Sequence, residues 1–110
     1  MDASDFKGVK QPPLHISDQG CFFVGGRYET TDNGLVYLGQ MYVEYQVPAA
    51  SSSALGGRLP SPPVVFIHGG GHTGVCWQMT PDGRPGWAQY FLTKGWPVYV
   101  VDQPGRGRSP

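Results

Sequence analysis

Val64-Val65-Phe66-Ile67-His68-Gly69-Gly70-Gly71 decides how this chain is read: four apolar residues without alternation run directly into three consecutive glycines. Such a run is expected of a strand covered on both faces, as in a parallel sheet. Glycines at its end let the backbone turn through positive φ and leave N–H groups bare, the arrangement that receives an anion or a developing oxyanion.

Downstream, Trp87, Tyr90 and Phe91 fall at helical spacing between Gly86 and Gly95, which predicts a short amphipathic helix, with those aromatics as its apolar stripe, that stops at its glycine. Val98 to Val101 then reads as a second doubly covered strand. Strand, helix and strand in succession form a right-handed crossover. It brings the glycine loop and the loop from Asp102 to Ser109 to the carboxyl edge of a parallel sheet, where ligands bind.

Upstream, Cys21 to Val24, Gly25-Gly26 and Arg27 to Thr30 predict a strand with a glycine bulge or bend, followed by turn residues Asp32-Asn33-Gly34. Gln40 to Val47 alternates, with Met41, Val43, Tyr45 and Val47 on one face and Tyr42, Glu44 and Gln46 on a wet one. The two segments predict an antiparallel pair. Residues Met1 to Gln19 lack periodicity and read as an irregular arm, leaving residues 20–110 as the folded unit. Ala49 to Pro63, rich in Ser, Gly and Pro, reads as a surface loop within it.

With 110 residues, of which 17 are Gly and 11 Pro, the core is expected to be thin. Eight basic residues balance eight acidic ones, so neither a nucleic-acid-binding face nor a polybasic membrane anchor is expected. No apolar run approaches the roughly 20 residues of a membrane span. The polar stretch Met1 to Gln11 has no signal-peptide core, which points to a cytoplasmic protein. Cys21 and Cys76, far apart in such a chain, read as free thiols.

For the glycine loop, Gly70 is the first candidate oxyanion donor and Gly71 the second. His68, at the start of the turn, is read as orienting the loop by hydrogen bonding to backbone rather than as a general base. His72 reads either as a lining residue of the substrate pocket or as a solvated loop residue, and Trp77 stands near enough in sequence to wall that pocket. His68, His72 and Cys76 are spaced by fours, like metal ligands on a helix, but three glycines oppose a helix there and no carboxylate completes the set, so no metal is expected.

Gly69-x-Gly71-x-x-Gly74 formally matches the dinucleotide fingerprint. That motif needs a helix to begin within it, whereas Pro81, Gly83, Pro85 and Gly86 intervene before the first good helical spacing, so no cofactor is expected. In the second loop Asp102 reads as a cap for backbone N–H groups, with the arginines solvated and Ser109 outside any nucleophile elbow.

His68-Gly69-Gly70-Gly71 resembles the H-G-G-G loops of lipases and esterases, and Asp102-Gln103-Pro104-Gly105-Arg106-Gly107-Arg108-Ser109 resembles the D-x-x-G-x-G-x-S turn of the α/β-hydrolase superfamily. More narrowly, Gly20 to Arg27, Gln40 to Val43, Thr80 to Arg84 and Asp102 to Ser109 are similar to bacterial and fungal hydrolases of the esterase 713 type. The resemblance implies an α/β fold: the N-terminal part of an eight-stranded, mostly parallel sheet, with antiparallel first strands followed by the parallel strand-helix-strand unit. It also implies carboxylic ester hydrolysis by a serine, an acid and a histidine, all of which follow the fourth strand in the family order. No G-x-S-x-G pentapeptide occurs in residues 1–110, so only the oxyanion role carries over, onto Gly70.

The expectation is therefore an N-terminal fragment of an esterase-like hydrolase, inactive alone because the triad accounts for roughly a million-fold of rate in such enzymes. Its partner would be a small-molecule ester once the site is complete. The alternatives are a complementation subunit that binds, through the edge of its third strand, a partner chain carrying the rest of the sheet and the triad, and a dinucleotide-binding module; besides the ester, a second chain or a homo-oligomer is the expected partner.

Overall fold

The computed structural model describes residues 13–49 and 62–110. The arm up to residue 12 and the loop over residues 50–61 lie outside the described residues.

Strands β1 (Ile16–Thr31) and β2 (Gly34–Pro48) form a long antiparallel hairpin. Asp32-Asn33 lies in the turn, and Gly34 takes φ +103° there. β1 begins at Ile16, inside the stretch read as an irregular arm. The glycine pair is not a bulge: Gly25 faces Gln40 and Arg27 faces Leu38 in one unbroken register. Gly25, Gly26 and Gly39 all take positive φ, so the ribbon changes course through glycines on both strands while the ladder stays in step. Tyr37 fixes this point by donating its hydroxyl to the Gly25 carbonyl at 2.6 Å.

Beyond the hairpin come β3 (Val64–Phe66), a single turn α1 (Val75–Gln78), α2 (Trp87–Thr93) and β4 (Val98–Asp102). The sheet order is β1-β2-β4-β3, with β2 and β4 antiparallel and β3 and β4 parallel. An antiparallel hairpin thus leads into a parallel strand-helix-strand unit.

The core lies between α2 and one face of the sheet, where Ala88 and Leu92 meet Phe66, Val98 and Val100. Ile16, Val64, Trp77 and Phe91 close its margins. The helix buries a different stripe from the expected one: Ala88 and Leu92 point inward at i and i+4, while Trp87 and Tyr90 remain more than half exposed. The aromatics touch one another instead, with Trp87 and Phe91 ring centroids 6.5 Å apart and Tyr90 and Phe91 6.0 Å apart.

The faces of β2 also need correction. Cross-strand partners share a face, and Glu44 and Gln46 oppose Val100 and Val98, so the side that reads as wet on β2 is the side on which α2 packs against β4. On the opposite side Val43 and Val101 are buried and Tyr45 stacks on Tyr99, but Phe22, Val24 and Val65 are exposed. Val65 is 54% exposed, so β3 is covered on one face only among the described residues. β4, in contrast, has buried residues on both faces.

Candidate functional site

Parallel pairing of β3 and β4 sends both strand ends out at the same edge, and the two loops meet there. His68 is 3% exposed. Its Nδ1 lies 2.7 Å from the Gly69 carbonyl oxygen, which can only accept, so Nδ1 carries the proton. Its Nε2 accepts the main-chain N–H of Gln103 at 2.9 Å, and the Gln103 side-chain amide donates to the His68 carbonyl at 2.7 Å. The imidazole is thus neutral, with both nitrogens engaged and no lone pair left to take a proton from a nucleophile or to bind a metal.

The Gly69 carbonyl also accepts the His72 N–H at 3.2 Å. Two donors thus share that carbonyl. Among the described residues neither the Gly70 N–H nor the Gly71 N–H has a hydrogen-bond partner, and both glycines are exposed. A Cβ at either position would meet nothing within 4 Å, but only Gly71 takes positive φ, at +79°. Both amides thus lie without a protein partner, among the described residues, in an exposed turn at the end of β3.

His72 is exposed in this loop. Trp77 packs with Phe66 at 5.2 Å between ring centroids, beside the core cluster, and its Nε1 is buried without a partner among the described residues. Sequence spacing had suggested no helix before Gly86, yet α1 begins directly after Gly74. It does not make a phosphate cradle, because the Gly74 N–H is donated to Asp102 at 2.7 Å. A Cβ on Gly74 would lie 2.7 Å from Val100 Cγ1 and 2.8 Å from the Val101 carbonyl, so this glycine serves close packing against β4.

Asp102, 1% exposed, organises the second loop. One carboxylate oxygen accepts from Gly74, and the other accepts from both the backbone N–H and the Nε of Arg108, each at 2.8 Å. Burial pushes this carboxyl up, but the Arg108 and Gly74 hydrogen bonds and the Arg108 charge outweigh it and hold the group at about 2. Arg108 is exposed, as the sequence reading expects, but it is also engaged: it pairs with Glu44 at 2.5 Å and lies 4.1 Å from the Tyr42 ring centroid. Burial, then a hydrogen bond with Cys21 and the Glu44 charge, push the Tyr42 phenol up to about 12.

Ser109 is buried and spends its hydroxyl structurally, donating to the Asp102 carbonyl and accepting the Tyr42 N–H. Gly107 leaves room for this arrangement, since a Cβ there would stand 2.6 Å from Asp102 Oδ2. Through Asp102, Gly107, Arg108 and Ser109 the D-x-x-G-x-G-x-S turn braces β2, β4 and the entrance to α1. Gln103, which no motif singles out, is the residue that sequence reasoning missed. Its only sequence signal is its place one residue beyond the capping aspartate.

No family model matches the chain. It is 44% identical to a novel bacterial esterase whose structure was solved at atomic resolution, with a TM-score of 0.78 over 94% of this chain and 33% of that one. It is 45% identical over 89 residues to a protein of a fungal species (strain ATCC 74256) described as "Probable secreted lipase phiG", covering 81% of this chain and 20% of the lipase. The chain thus spans about a third of the esterase and a fifth of the lipase.

Proposed function

We propose, from a chain homologous to part of a bacterial esterase of the esterase 713 type and part of a fungal lipase, that this segment supplies the oxyanion-hole loop of a serine-dependent carboxylic ester hydrolase. The observation that carries the reading is the pair of N–H groups at Gly70 and Gly71 that have no partner among the described residues, beside a Gly69 carbonyl engaged by His68 and His72. Gly70 is the first donor to the tetrahedral oxyanion and Gly71 the second. His68 orients the turn, and His72 borders the ester. In working hydrolases one such donor contributes about 3 to 4 kcal/mol to the transition state.

This reading assigns no nucleophile, acid or catalytic histidine to residues 1–110. Ser109 is committed to structure, and His68 has no free lone pair. The chain by itself is then inactive, and the triad comes from further sequence. The exposed residues Phe22, Val24 and Val65 and the outer edge of β3 support completion of the sheet by more polypeptide. The same observations support the second reading, a subunit completed by a separate chain that carries the triad. Among the described residues no helix is long and apolar enough to cross a membrane. A cytoplasmic location belongs to the same proposal; the fungal relative is described as secreted, and cell fractionation decides between the two.

The direct test of the oxyanion role is amide NMR of a protein extended through the natural downstream coding sequence, before and after inhibition by a p-nitrophenyl phosphonate. A downfield displacement of the Gly70 amide proton, with a smaller one at Gly71, supports the assignment. Both unmoved in a covalently inhibited protein excludes it.

A further inference from the structure

His68 orients the glycine loop only if its own ring is fixed, and beyond the Gly69 carbonyl that the ring engages, its fixing groups come from outside the loop. The ring sits after β3, whereas both groups that fix it come from one residue after β4. Gln103 gives its main-chain N–H to His68 Nε2 at 2.9 Å and its side-chain amide to the His68 carbonyl at 2.7 Å. The first contact excludes a proton from Nε2, so the ring proton must sit on Nδ1, where it meets the Gly69 carbonyl at 2.7 Å. The second fixes the peptide from which the ring hangs. Loss of this pair would free the ring to take the other tautomer. Gly69 would then keep only the His72 N–H, at 3.2 Å.

We propose that Gln103 is a positioning residue for the glycine loop: by clamping His68 at two points it sets the imidazole tautomer, and through it the direction of the Gly69 carbonyl and of the Gly70 and Gly71 N–H groups. The contribution to catalysis rests on the oxyanion reading above; the clamp itself does not. Gln103 touches no reacting atom, so its effect falls on the transition state, where loop direction matters, rather than on ester binding. Gln103→Met keeps the length and shape of the side chain and the main-chain donor, but removes the side-chain bond that holds the two loops in register, so the main-chain contact to Nε2 loosens.

The test uses the protein extended through its natural downstream coding sequence, with nitrogen-15 in its histidines and backbone. In the unsubstituted protein the His68 ring is expected in the Nδ1–H tautomer, with scalar coupling across the hydrogen bond from the Gln103 nitrogen to Nε2. In Gln103→Met the coupling weakens and the ring shifts move toward a mixture of tautomers. For p-nitrophenyl acetate, kcat falls roughly fivefold to tenfold with KM held within about twofold, the size expected of one neutral hydrogen bond. Gln103→Glu, which puts a carboxylate against the His68 carbonyl, falls at least as far. A protonated Nε2 in the unsubstituted protein overturns the clamp without any variant. An unchanged kcat in Gln103→Met, or a loss confined to KM, overturns its role in positioning. If the extended protein hydrolyses no ester while the ring responds as described, the oxyanion reading falls and the clamp stands.

Discussion

The Nε2 of His68 and the main-chain nitrogen of Gln103 lie 2.9 Å apart, and this contact joins the loop after β3 to the loop after β4. It makes a buried histidine an acceptor rather than a base. Replacing His68 by Phe leaves the Gln103 N–H without its acceptor and the Gly69 carbonyl without its nearer donor. An unfolding free energy lower by about 1 to 3 kcal/mol is expected. His68→Gln, which can still offer an oxygen near the position of Nε2, should recover part of that loss in urea titrations of the extended protein. Equal losses in both variants would mean that ring packing, not the acceptor, is what counts.

The loop glycines differ in why they are glycine. Gly70 has open space around it and no positive φ, so Gly70→Ala is expected to change stability by less than about 1 kcal/mol. Gly71→Ala must hold a Cβ at φ +79° and should cost about 1 to 2 kcal/mol. Gly86→Ala places a Cβ 2.4 Å from the Trp77 carbonyl oxygen, and the backbone shift it forces should cost about 1 to 3 kcal/mol. Thermal melts of the three variants should rank in that order.

Asp102 makes stability depend on acid. Its carboxyl is held at about 2 in the fold against an ordinary 3.8, so the native state favours the ionised form. The contribution, roughly 2 kcal/mol, is complete above the unfolded value and is lost as pH falls from about 4 toward 2. Asp102→Asn removes this pH dependence and leaves the Arg108 charge paired with Glu44 alone. Unfolding midpoints measured between pH 2 and 6 should be steeper in the parent than in the variant across the acidic half of that range.

On α2, small buried residues outweigh large exposed ones. Leu92, 1% exposed, should cost about 2 to 5 kcal/mol when cut to Ala, whereas Trp87, 60% exposed, should cost under about 1 kcal/mol. The opposite ranking would show that the aromatic stripe, as sequence spacing suggests, is the buried one.

That inversion shows where sequence reading ends. The hairpin, the parallel unit and the meeting of the two glycine-rich loops are all legible, because alternation, turn residues and apolar runs are local signals. Ala88 was not, since a small residue carries little apolar weight until something is seen to pack on it. Gly25-Gly26 leaves bulge and bend open, and the structure shows the bend, because period alone cannot show that Gly39 lies opposite and lets both strands turn together. The pairing of Arg108 is not legible because its partners, Asp102 and Glu44, come together only through the pairing of β2 with β4. In the candidate site the bare amides were legible as glycines after a strand, while Gln103 depends on a contact 35 residues away in sequence.

The central claim, a loop that stabilises an oxyanion but needs a triad from further sequence, is tested most directly by hydrolysis of a short-chain p-nitrophenyl ester. The purified 110-residue chain is compared with a protein extended through its natural downstream coding sequence. The account predicts turnover by the extended protein alone. Turnover by the short chain that survives replacement of Ser109, His68 and His72 would contradict it.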